Sequence, residues 1–274
     1  MSYLSFREPV NAWTHGIWLL LSLPVTLLLW RLCRGNRLKQ VGLLVFGISL
    51  ACCYGGSVLY HGVRLPPEQL HWFARVDYIG VYLLIAGTFT PVVLVVLHGR
   101  WRTGILSTAW LLAALGIGLQ LAGVEMSQAV STSLYLGMAW ALFAGCGKMA
   151  CILPFRALWS GVLGASLYSV GAVLNHLHWP VLWPGVFSAH ELWHFFVMAG
   201  SASHCWLMLQ VVVPFATPGC RASHAPVQRV ETKRKKLVFR AANLEATSPN
   251  TKSSPPTRIG TCYAGLLDRG GAGH

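Results

Sequence analysis

Long apolar stretches alternate with short polar punctuation from residue 11 to residue 213. A transmembrane helix needs about 20 mostly apolar residues. Seven stretches approach that length, over 11–30, 41–60, 76–97, 105–122, 132–148, 157–174 and 186–213, the fifth being the shortest. The loops between them are short, so consecutive helices are expected to be neighbours. The pattern predicts an all-α polytopic membrane protein, a seven-transmembrane-helix bundle. Pro24 and Pro91 fall inside spans, where neighbouring helices can satisfy the carbonyls a proline frees. Gly116 and Gly118 predict close packing of the fourth span. From Thr217 the apolar pattern stops and Ser, Thr, Pro, Gly and charge take over. Such a segment cannot bury enough apolar surface to fold. The chain therefore divides into a membrane domain, 1–216, and a basic tail, 217–274, expected to be disordered.

Composition agrees with the pattern. Of 274 residues, 54% are hydrophobic and only 11% charged, against about 25% charge in an ordinary soluble domain. The formal net charge of +13 could signal nucleic acid, but its distribution argues against that partner. Ten of the 21 Lys and Arg lie in 215–274, and most others sit in short loops. There they set topology and meet anionic headgroups. The cluster Lys233-Arg234-Lys235-Lys236 is expected to touch such headgroups rather than to address the nucleus. The partners read from this are membrane lipids, with no nucleic acid. Eight cysteines without a Cys-x-x-Cys pair read as buried, reduced thiols. No signal peptide is expected at the start.

Counting basic residues orients the bundle. Arg7, Arg64 and Arg75 lie on the N-terminal side. Arg31, Arg34, Arg37, Lys39, Arg100, Arg102, Lys148 and Arg156 lie on the other. The positive-inside rule places the second group in the cytoplasm. The expectation is a multi-pass membrane protein with its N-terminus outside and its C-terminus cytoplasmic.

The chemistry concentrates at one face. His61 ends the second span, Asp77 opens the third, His190 and His194 open the seventh, and Glu8, Asn11 and His15 open the first. His190 and His194 are four residues apart, so both project from one helix face and can hold one ion. Singly, each polar residue has an ordinary structural role: a helix-end histidine, an N-cap, an interfacial belt. Together, four helices bring ionisable groups to one membrane depth, where such groups are costly and tend to be functional. Three imidazoles, His61, His190 and His194, with one position left open favour zinc. Asp77 is the first candidate to accept a proton from water, and Glu191 the second. Ser57, one turn before His61, could orient that water or stabilise an oxyanion. His15, His71, His176, His178 and His204 are weaker candidates, with His204 read as a packed core residue.

His190-Glu191-x-x-His194 also matches the zincin pattern His-Glu-x-x-His. Intramembrane proteases of that kind take a third ligand from an aspartate in a later span. The only later aspartate is Asp268 in the tail, so a protease is a minor alternative.

Ser57-x-x-x-His61, Asp77-Tyr78-x-Gly80 and His190-x-x-x-His194, preceded by Glu8-Pro9-x-Asn11-x-x-x-His15, resemble the hemolysin III family. This is the bacterial branch of the progestin and adipoQ receptor superfamily, and the resemblance covers about residues 7–213. It implies a seven-helix protein with zinc on His61, His190 and His194, with Ser57 and Asp77 beside the metal. The wider superfamily, which includes alkaline ceramidases, implies hydrolysis of a lipid amide or ester. The receptor branch implies non-catalytic lipid sensing around a structural zinc, with the N-terminus in the cytoplasm, the reverse of the charge count. The family name implies cytolysis through a pore. The order of expectation is hydrolase, sensor, pore, since mid-span positions are mostly apolar and a conducting path needs polar groups along its length.

Overall fold

The computed structural model describes residues 6–145 and 147–216. The expected tail, 217–274, lies outside the described residues. The helices are α1 (Pro9–Leu32), α2 (Arg37–Gly62), α3 (Pro67–Val96), α4 (Gly99–Leu121), α5 (Gln128–Gly145), the single turn α6 (Gly147–Ala150), α7 (Phe155–His176) and α8 (Ala189–Leu207), which runs on as a π-helical stretch over Met208–Val212. Among the described residues there is no strand, only an isolated bridge between Trp183 and Phe187.

Local chemistry sets the helix starts. Proline stands in the first turn of α1 and α3, where the missing N–H costs nothing and φ is already helical. The Asn36 side chain caps α2 by accepting from the Lys39 N–H at 3.1 Å. Ser188 and Glu191 form a reciprocal capping box at the start of α8. These signals move some boundaries. α3 begins at Pro67 rather than at residue 76, because Pro66, Pro67 and Glu68 make a good helix start ahead of the apolar run. α8 begins at Ala189 rather than at 186, because Ser188 is its cap.

Among the described residues six helices are long and apolar enough to cross a membrane: α1 to α4, α7, and α8 with its π-helical extension. The protein is a multi-pass integral membrane protein. The fifth expected span appears as α5, with 18 residues and a length of ~27 Å. It is the shortest of the long helices, as the fifth span is in the sequence.

The helices form a closed bundle in chain order. α2 packs between α1 and α3, α4 follows α3, α5 links α4 to α7, and α8 lies against both α7 and α1. Large apolar side chains such as Leu20, Leu111 and Leu115 face outward, as a lipid-facing surface requires. Inside, α2 and α3 approach closely through glycine. A Cβ on Gly80 would stand 2.6 Å from the Cα of Cys53, and one on Gly42 2.8 Å from the Cα of Pro91. Gly116 of α4 seats the Tyr82 ring, whereas Gly118 meets nothing within 4 Å and packs no helix. Lys39 is buried, and its ammonium donates to the carbonyl of Val213 at 2.7 Å, which ties α2 to the end of the last span. The described cysteines are free thiols.

The Gly80 contact is with backbone, which cannot swing aside. Gly80→Ala should therefore force α2 and α3 apart and destabilise the bundle by about 1–3 kcal/mol. Thermal unfolding in detergent checks this, with Gly118→Ala expected to be neutral.

Candidate metal centre

α2 ends at the face where α8 begins, and α1 starts there too. His61 sits in the last turn of α2, and His190 and His194 in the first two turns of α8. The ring centroids form a near-equilateral triangle: His61–His190 5.2 Å, His61–His194 4.9 Å and His190–His194 5.1 Å. One nitrogen from each ring lies within 4.8 Å of the others. An ion with ~2.1 Å bonds holds tetrahedral nitrogens about 3.4 Å apart, so the rings need to close in by less than about 1 Å.

Each imidazole is held by its outer nitrogen. His61 Nδ1 pairs with the Glu8 carboxylate. His190 Nδ1 lies 3.3 Å from Asn175 Oδ1 at the end of α7. His194 Nδ1 lies 3.4 Å from the Thr14 hydroxyl of α1. That leaves the Nε2 atoms for the centre of the triangle, and His61 Nε2 is buried there without a hydrogen-bond partner. A buried, unpaired imidazole nitrogen is costly, and three nitrogen donors with oriented outer partners fit a divalent metal of zinc type.

Glu8 is the strongest of these supports. Burial by itself pushes its carboxyl up. Hydrogen bonds from His61 and Asn11 and the charges of His61 and Arg7 outweigh that and bring it down to about 2. Glu8 is therefore a carboxylate at any ordinary pH and acts as acceptor toward His61. Arg7 stacks over Tyr60 at 4.6 Å and donates to the Tyr60 carbonyl at 2.8 Å, which fixes the strand of chain bearing Glu8. Losing such a partner typically costs 10–100-fold in metal affinity. Glu8→Gln should weaken metal binding by about that range while leaving the fold intact, a difference readable by competition with a chromogenic chelator.

Asp77 faces the triangle from α3, with Oδ2 4.0 Å from His61 Nε2, and the buried Ser57, one turn before His61 on α2, lies beside it. The geometry thus brings together His61, His190, His194, Asp77 and Ser57. Glu191 is placed differently. Its Oε2 accepts from the Ser188 N–H at 2.8 Å and hydroxyl at 2.6 Å, and its Oε1 accepts from Asn11 Nδ2 at 2.9 Å. Both oxygens are committed to starting α8 and tying it to α1.

Several supports, Thr14 among them, were not assigned roles from sequence. Glu8, Asn11 and His15 have helical spacing that puts them on one side of α1. That spacing could have marked Glu8 as a partner of a ligand. Asn11 bridges Glu8 and Glu191. His15 is buried and stacks on His194 with centroids 3.8 Å apart. Asn175 carried no signal, being one polar residue at a helix end. His204 lies deep in α8, stacked on Tyr168 at 5.5 Å, and is a core residue as expected. His176 and His178 are exposed.

Comparison with known proteins bears on the whole bundle. The family described as haemolysin-III related matches residues 4–205. Hemolysin-3 of Bacillus cereus is 33% identical over 214 residues, covering 77% of this chain and 94% of that protein. The Hemolysin-3 homolog of Bacillus subtilis (strain 168) is 34% identical over 219 residues, covering 76% and 97%. Heptahelical transmembrane protein 3 of Arabidopsis thaliana is 29% identical over 210 residues, covering 68% and 59%.

Proposed function

The chain belongs to the haemolysin-III related family, and from that premise we propose that it is a zinc-dependent hydrolase of a lipid amide or ester. The observation that carries the reading is the triangle of His61, His190 and His194 with Asp77 and Ser57 on its open side. His61, His190 and His194 would hold the ion. Zinc held there supplies Lewis acidity, polarising the substrate carbonyl and acidifying a water.

The remaining steps belong to the protein. Asp77 takes a proton from the attacking water as its oxygen bonds to the carbonyl carbon. Ser57 holds the carboxylate in place for that transfer. When the carbon–nitrogen or carbon–oxygen bond breaks, Asp77 returns the proton to the leaving atom. Glu8, Asn175 and Thr14 keep the three imidazoles oriented throughout. A centre near a membrane face suits an amphiphile, whose head reaches it while its chain stays among lipids.

The Bacillus relatives support a bacterial inner-membrane location, and the charge count favours this face outside and the C-terminus in the cytoplasm. A second reading is a lipid sensor with structural metal. It draws on the placement of His61 on α2 and of His190 and His194 on α8, helices that are not principal neighbours, so a metal would staple them. A pore has least support, because Phe46, Leu50, Val93 and Val96 fill the interior.

The test is turnover of ceramide-like amides and of lipid esters by the full chain in nanodiscs. Activity that disappears on chelation and returns with zinc supports the hydrolase. No turnover across the panel by metal-loaded protein removes it and leaves the sensor.

A further inference from the structure

The loop 177–188, between α7 and α8, is apolar where a water-washed loop would be polar. It contains no Lys, Arg, Asp or Glu. Its large side chains stand clear of the bundle, with Trp179 65%, Leu182 64% and Trp183 66% exposed. Nothing in the bundle covers them, yet both ends of the loop emerge directly from membrane-spanning helices. Its apolar surface therefore continues the lipid-facing surface of α7 and α8.

The backbone of this loop is closed on itself. The Trp179 N–H donates to the Leu174 carbonyl. Those of Leu182 and Trp183 donate to Phe187, and those of Val186 and Phe187 donate to Trp183. The Ser188 N–H donates to the Glu191 carboxylate. Pro180 and Pro184 have no N–H to satisfy. Among the loop's amides, only Val181 and Gly185 lack a hydrogen bond. Water would satisfy such groups freely at an aqueous surface. Internal pairing matters where water is scarce, and paired indoles at a helix end favour the headgroup level of a bilayer.

We propose that loop 177–188 inserts into the leaflet on the metal-centre side, at the boundary between headgroups and acyl chains, and that its partner is the phospholipid monolayer. The loop is tethered to the centre at both ends. Asn175, just before it, holds His190, and Ser188, its last residue, caps the helix bearing His190 and His194. The insertion places the mouth of the centre against lipid rather than bulk water, so an amphiphile reaches it from within the leaflet. That last consequence rests on the hydrolase reading, whereas the insertion does not.

The experiment is photocrosslinking of the full chain in phosphatidylcholine–phosphatidylglycerol nanodiscs, followed by mass spectrometry. Benzoylphenylalanine is placed singly at Leu182, at Leu115 as a lipid-facing control on α4, and at the exposed, charged Glu125 in the turn between α4 and α5. Gln128 at the start of α5 donates to the Asn175 carbonyl, which puts that turn at the same end of the bundle as the loop. Phospholipid adducts at 182 and 115, with none at 125, are the expected result. Adducts at 115 but none at 182 would overturn the proposal by placing the loop in water. Lipid turnover is not read, so failure here is separable from failure of the hydrolase.

Discussion

His61→Ala, His190→Ala and His194→Ala each purify without metal, while the parent chain, prepared without chelators, carries about one zinc ion. Each substitution removes one of only three imidazole donors. The other two are held by their outer nitrogens and cannot shift to compensate. The loss in affinity should exceed the 10–100-fold typical of an outer partner such as Glu8. His15→Ala is the informative control. His15 stacks on His194 at 3.8 Å but is not one of the three imidazoles grouped as ligands, so it should retain metal. Metal content by inductively coupled plasma mass spectrometry decides the matter. A folded but metal-free parent chain would leave the triangle as a packing motif and take the basis from every catalytic step.

Much of this centre was legible in the chain because two simple periodicities carry it. His190 and His194 share a helix face by spacing alone. His61 and Asp77 fall at the same membrane depth once the spans are counted. What was not legible depends on tertiary contacts between segments. Asn175 becomes a partner of His190 only because α7 ends beside the start of α8. Thr14 meets His194 only because the bundle closes α1 onto α8. Glu191 is a different case. Ser188-x-x-Glu191 is a capping-box signature as plain as the His-Glu-x-x-His pattern that overlaps it, and the structure commits its carboxylate to the cap. The fold followed the same division. Hydrophobic length marked every long helix, but boundaries moved wherever a proline or a cap extended or delayed a helix. Gly116 and Gly118 look alike in sequence, yet only the first faces a neighbour.

Asp77→Asn separates the hydrolase from the sensor. The amide is nearly the same size as the carboxylate, and the close packing of α2 on α3 at Gly80 and Gly42 does not depend on its charge. Asp77 is not one of the three imidazole donors, so metal content should stay near that of the parent chain. What is lost is the group that accepts the proton of the attacking water and returns it to the leaving atom. General acid–base groups of this kind contribute about 10²–10⁴-fold, and turnover of the lipid amide should fall by that factor with little change in KM. Ser57→Ala should fall less, because it removes a positioning contact and leaves the base. If metal and turnover are lost together in Asp77→Asn, Asp77 is holding the centre's geometry rather than moving a proton. If turnover is unchanged, Asp77 is not the base. A metal-loaded chain that never turns over, yet alters membrane composition equally with Asp or Asn at 77, belongs to the sensor. The carboxylate that faces His61 across 4.0 Å is thus the residue whose replacement reads out chemistry without first dismantling the metal centre.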